Sequence, residues 1–171
     1  MIAFITKQAA VNYAKVDYPM YHRALMDNPY LTNAAQKLLL EHARKSEDEP
    51  YATIANILKH KSTLSSTLDY YALDSPEVVG AHPNTSVKTL VKILENSGLN
   101  RARYAALRDE APIELSVEAL FYYFKIEGVA LYKVAVKYKN IESRVDAYLR
   151  QLGWENETLK AAPLYLKLRA I

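Results

Sequence analysis

The sequence predicts an all-α protein, an α-solenoid-like stack of about five short two-helix units. Three observations carry that expectation. Apolar residues recur on a 3.6-residue period behind turns rich in Pro, Asn, Ser and Thr. The pairing of a short helical segment with a longer one repeats along the chain. Composition leans the same way: Leu, Ala and Lys are plentiful, and four glycines in 171 residues are too few for an all-β domain with many tight turns.

The clearest unit lies at residues 76–98. "PEVVGA" forms a short segment with Pro76 at its start, where the missing N–H is harmless. In the turn "HPNTS", Asn84, Thr85 and Ser86 offer side-chain oxygens to the free amides of a starting helix. Val87, Leu90, Val91 and Leu94 then follow at i, i+3, i+4 and i+7, one apolar stripe, and Gly98 is the expected helix stop.

The same grammar predicts the other long helices in order. Asn28-Pro29 and a Thr32-Asn33 cap precede a stripe of Ala35, Leu38 and Leu39. Ser and Thr residues precede Leu64, Leu68, Tyr71 and Ala72. Pro112 precedes Val117, Leu120, Phe121 and Phe124. Asn140 is read as the cap of a helix striped by Ile141, Val145, Leu149 and Leu152 and closed by Gly153. Short segments open near residues 19, 50, 76, 100 and 128, at intervals of 31, 26, 24 and 28. A period in that range marks units that bury their apolar faces against their neighbours. The expected organisation is one domain over 1–171: a cap helix over 1–18, repeats over 19–153 and a second cap over 154–171.

One stretch carries a competing signal. Tyr132, Val134, Val136 and Tyr138 alternate with Lys133, Ala135, Lys137 and Lys139, a period of two that suits a strand. A small β-hairpin over 121–139, turning at Glu127-Gly128, is therefore the alternative to helix there. Leu164, Leu166 and Leu168 alternate after Pro163 in the same ambiguous way.

"VVGAHPNTSVKTLVKILENSGLNRARYAAL", residues 78–107, resembles the leucine-rich repeat variant family, whose units carry an Asn-Pro-Asn-Thr-like turn between a short and a longer helix. "ALMDNPYLT" is similar to it more weakly. The resemblance covers residues 19–127 and implies a right-handed, all-helical superhelix in the style of HEAT and armadillo arrays. It implies no catalytic residues. The cysteine-ligated cluster of some family members has no counterpart, because the chain contains no cysteine.

The absence of cysteine also removes disulfides and thiol chemistry and fits a reducing compartment. The start "MIAFITKQAA" has no basic region ahead of an apolar run, so no signal peptide is expected, and no apolar stretch approaches the roughly 20 residues of a membrane span. A cytoplasmic protein with no membrane association is the expectation. The net charge of +3 permits an anionic partner without requiring one.

No motif points to an enzyme, and no cofactor or metal is expected. His22, His42, His60 and His82 form no i, i+4 pair, and His60 and His82 fall in equivalent turns that suit a capping role. Glu47, Asp48 and Glu49 before Pro50 suit a solvated loop beside a helix N-terminus. Ser62, Ser65 and Ser66 lie in a turn with no nucleophile-elbow pattern. Fourteen tyrosines are the unusual feature. In Tyr70-Tyr71 and Tyr122-Tyr123, neighbours on a helix point about 100° apart, so one ring can enter the core while the other stays outside. Those four are the candidate anchors for a protein partner, against the plainer reading that they fill core edges with their hydroxyls in water.

The expected function is thus a non-catalytic interaction module, adaptor, scaffold or self-associating. The alternative is a nucleic-acid-binding protein that grips phosphates with Arg101, Arg103, Arg108, Lys133, Lys137 and Lys139.

Overall fold

The computed structural model of the chain describes residues 11, 12, 14, 28, 31–45, 50–126, 139–153 and 167. Among these residues there are helices and turns and no strand, as an all-α chain requires. Eight helices are described: α1 (Asn33–Lys45), α2 (Pro50–Leu58), α3 (Ser65–Tyr70), α4 (Pro76–Ala81), α5 (Val87–Asn96), α6 (Leu99–Ala106), α7 (Ile113–Ile126) and α8 (Lys139–Gln151). They divide between two compact units, one of Met1–Tyr70 with His82–Asn84, the other of Tyr71–Ala81 with Thr85–Ile171.

In the first unit α1 packs on α2. Thr32 starts α1 by accepting the Ala35 amide on its hydroxyl at 3.3 Å. His42, Arg44 and Lys45 in the last turn suit the negative end of the helix dipole. The expected stripe is present and wider than expected: Ala35, Leu39, Leu40 and Ala43 are buried, with Gln36 among them, while Leu38 lies at the margin. Ile57, Leu58 and Leu68 complete this core. Burying one such aliphatic side chain contributes about 1.5–3 kcal/mol.

In the second unit α4 packs on α6, α5 on α6 and α7, and α7 on α6 and α8. Pro76 opens α4, and the Ser75 carbonyl accepts the Val79 amide at 3.0 Å. The approach of α4 to α6 depends on small residues. Ala102, Ala105 and Ala106 are buried, and a Cβ built on Gly80 would stand 2.7 Å from the backbone N of Ala105. Ser86 caps α5 through its hydroxyl, which accepts the Thr89 amide at 3.2 Å.

Four sequence expectations need correction. Val87 is 49% exposed, because the buried face of α5 centres on Thr89, Leu90 and Ile93, and the first residue of the helix overhangs it. Leu64 and Leu152 are likewise outside the core, each lying just beyond its helix. Gly98 stands at C′ of α5, just past the C-cap Ser97, as expected of the helix stop, and with φ −60° it is also the N-cap of α6. Asn140 does not cap α8 but sits within it and donates to Asp109 Oδ2 at 2.7 Å. Gly153 does adopt a left-handed conformation, φ 78°, after α8.

The hairpin alternative over 121–139 loses its first arm, since residues 121–126 continue α7. The stripe of Val117 and Leu120 carries the 3.6-residue period through, with both side chains buried. The alternating segment itself, 127–138, lies outside the described residues, as do residues 46–49 and His22.

Candidate functional site

The chemistry that the fold concentrates is in its turns. His60-Lys61-Ser62-Thr63 follows α2, and His82-Pro83-Asn84 follows α4 in the chain. His60 Nε2 lies 3.0 Å from the Asn28 carbonyl, and His82 Nε2 lies 3.0 Å from the His60 carbonyl. A carbonyl oxygen can only accept, so each ring carries its proton on Nε2 and donates it. Nδ1 is then an acceptor. It receives the amide two residues on, Ser62 N–H at 3.2 Å in one turn and Asn84 N–H at 3.0 Å in the other. Each imidazole braces its own turn with one nitrogen and holds a backbone carbonyl earlier in the chain with the other.

Asn84 adds to this linkage. Its side-chain amide donates to the Lys61 carbonyl at 3.0 Å and to the Thr63 carbonyl at 2.9 Å. The turn residues thus do more than cap: Ser86 alone supplies the helix cap, while Asn84 ties turn to turn. Thr63 and Thr85, buried below their turns, donate their hydroxyls to the carbonyls of Ile57 and Val79, six residues back in each case.

Below His60 the network runs into α1. Ser62 Oγ stands 2.8 Å from His60 Nδ1 and donates to the Leu31 carbonyl at 2.8 Å; Gln36 Nε2 donates to Ser62 Oγ at 2.9 Å. Burial depresses the His60 pKa below the ordinary imidazole value. The hydrogen bond to Asn28 opposes that shift, and the nearby charge of Lys61 reinforces it. His60 is held neutral, the state that its two roles require.

The turn Arg108–Ala111 in the second unit is held by a different donor. The Arg144 guanidinium, on α8, donates to the carbonyls of Arg108, at 2.7 Å, and Ala111. Burial pulls Arg144 below the usual guanidinium pKa, against the carboxylates of Asp109, Glu110 and Glu114. Lys167 is buried, 1% exposed, and reaches two carboxylates of α8: Asp146 at 2.9 Å and Glu142 at 3.2 Å. Burial alone would lower its pKa; the bonds to Asp146 and Glu142 outweigh it and raise the pKa. Sequence reasoning missed both roles. Arg144 reads as one more exposed base, and no periodic signal marks Lys167 as buried.

Of the two aromatic pairs, the first separates as the 100° argument requires and the second does not. Tyr70 is 59% exposed and Tyr71 is 5% exposed. The Arg44 guanidinium lies over the Tyr70 ring, 4.8 Å from its centroid, and donates to its hydroxyl. Tyr122 and Tyr123, on α7, are both half-buried.

The basic candidates already hold partners within the chain. Arg101 pairs with Glu77 at 3.2 Å and donates to the Asp74 carbonyl at 2.8 Å. Arg103 donates to Asn100 Oδ1 at 2.9 Å and stacks over Tyr104. Arg108 pairs with Glu110 at 3.1 Å and holds that carboxyl below the usual range. Lys133 and Lys137, and the side chain of Lys139, lie outside the described residues. No group of three or more His, Cys, Asp or Glu that could hold a metal occurs among the described residues. None of their helices is long and apolar enough to cross a membrane.

Fold and turns together define, over the described residues, a helical protein in which the backbone at Asn28 and the turns at His60 and His82 are tied by side chain-to-carbonyl hydrogen bonds. No family model, no curated protein and no solved structure matches the chain.

Proposed function

We propose that the chain is a non-catalytic interaction module, built as a helical-repeat array of the leucine-rich repeat variant kind, that presents a surface to a protein partner or to a second copy. The observation that carries this reading is the linkage of the backbone at residues 28, 60 and 82, in which each histidine holds a carbonyl earlier in the chain. Nearest-neighbour ties of that kind suit an array, in which each unit depends on the next and an extended face is the useful product. Its candidate anchor is Tyr70, an exposed ring whose position is fixed by Arg44, so little rotamer freedom remains to be lost on binding. The cytoplasmic setting belongs to the same reading and rests on the absence of cysteine.

The alternative, a phosphate-gripping face, is less well supported. Arg101, Arg103 and Arg108 would each have to leave an acceptor in the chain to meet a phosphate. One experiment separates the two: affinity capture from lysate with and without nuclease, paired with light scattering of the purified chain. A protein partner or self-association that survives nuclease supports the module. A monodisperse monomer that captures protein only through nucleic acid sinks it.

A further inference from the structure

The His60 ring stands where three hydrogen-bonding groups converge, and the set is complete for one charge state only. With the ring neutral, Nε2–H serves the Asn28 carbonyl, and the Nδ1 lone pair takes the Ser62 amide. A proton on Nδ1 would point at that amide, donor against donor, 3.2 Å away. Among the described residues the group placed to receive it is Ser62 Oγ, at 2.8 Å, whose own hydrogen then goes to the Leu31 carbonyl, also at 2.8 Å. Gln36 Nε2 keeps donating to the same oxygen.

We propose that this chain, His60–Ser62–Leu31, is a proton-operated latch: uptake of one proton at His60 Nδ1 releases the Ser62 amide and opens the turn at His60–Thr63. The bond balance is simple. A solvent proton forms Nδ1–H, the N–H···N bond from Ser62 is lost, and an N–H···O–H···O=C relay replaces it. No oxidant or cofactor is involved. The opening is transmitted, because the backbone of this turn carries three acceptors used by a later one. His82 Nε2 donates to the carbonyl of His60, and Asn84 Nδ2 donates to those of Lys61 and Thr63. Release of the first turn therefore loosens the second.

The charges that face the ring favour a latch that is closed at neutral pH. The ammonium of Lys61 on its own turn and the imidazole of His82 on a later one face the ring, and both oppose a charge on His60. The turn at Asn28–Leu31 presents carbonyls, and α1 presents the neutral amide of Gln36. Among the described residues no carboxylate bonds to the ring. Burial depresses the pKa further, so the latch opens below the free imidazole value of about 6.5.

The test is an imidazole ¹⁵N titration of the full chain from pH 8 to pH 5, read together with amide exchange at Ser62 and Asn84. Expected are the Nε2–H tautomer of His60 at pH 8, a midpoint below that of free imidazole, and loss of protection at both amides with that same midpoint. Ser62→Ala removes the relay oxygen and keeps the amide, so its midpoint should fall by about half a pH unit or more. His60→Gln keeps a donor for Asn28 but cannot titrate, and should abolish the protection step. A His60 midpoint at or above the free value, or Ser62 and Asn84 amides whose protection ignores that midpoint, overturns the latch. So does a Ser62→Ala midpoint that does not fall. These readouts use the wild type and a mild variant, so they decide the matter even if His60→Gln does not fold.

Discussion

A Cβ added to Gly80 would lie 2.7 Å from the backbone N of Ala105 and 3.1 Å from its Cα. The obstacle is backbone, so no rotamer change relieves it, and α4 and α6 must separate. Gly80→Ala should cost about 2–3 kcal/mol despite the better helix propensity of Ala. Denaturant melts check this, and adding Ala105→Gly should give little rescue.

Asn84 holds two carbonyls with one amide group, so its replacements rank by charge. Asn84→Ala should cost about 1–2 kcal/mol. Asn84→Asp should cost more at neutral pH, because a carboxylate would face two carbonyl oxygens. That excess should shrink as pH falls through the carboxyl range, where a protonated Asp can donate again. Stability curves of the two variants at pH 4 and pH 7 decide it.

Lys167 sets a limit on the alkaline side. Its folded pKa is raised, so its contribution is complete below the unfolded lysine value of about 10.4 and is lost as pH rises through the folded value. Asp146→Asn should cost about 1–2 kcal/mol at neutral pH, discounted for the partial exposure of the carboxylates. Lys167→Met, which removes the buried charge and keeps the volume, should be nearly neutral at pH 7 and flatten the alkaline loss. Melting temperatures from pH 7 to pH 11 are the measurement.

The tyrosine pair divides stability from binding. Tyr71→Ala should cost about 3–4 kcal/mol, since the ring is in the core. Tyr70→Ala should cost less than about 1 kcal/mol and weaken partner capture tenfold or more if that ring is the anchor. Arg101→Ala should leave the salt dependence of any oligonucleotide binding unchanged. A fall of about one unit in log–log slope would restore the phosphate-gripping alternative.

Much of this fold is legible in residue order. The 3.6-residue stripe of α7, the Pro openings of α2 and α4 and the cap at Ser86 rest on local rules, and local sequence expresses them. The burial of Val87 was not readable because it is the first residue of its helix, where the apolar stripe overhangs the packed face. The equivalence of His60 and His82 is readable from their turns, but not which atoms they reach. Their acceptors lie 32 and 22 residues back and are main-chain oxygens, which leave no mark on composition. Lys167 shows the converse limit, a charged side chain buried because two acids 25 and 21 residues earlier receive it.

In the contacts that His60, His82, Asn84 and Arg144 make with turns elsewhere in the chain, the receiving partner is a peptide oxygen. Asn28, His60 and Arg108 offer the same group to the side chain that reads them, although their own side chains share nothing. Half of each contact is therefore blind to mutation, and drift at the receiving position leaves the joint intact. Selection can act only on the donor, where His, Asn and Arg are the types found. Helices joined this way can drift in sequence at one side of each joint while the joint persists.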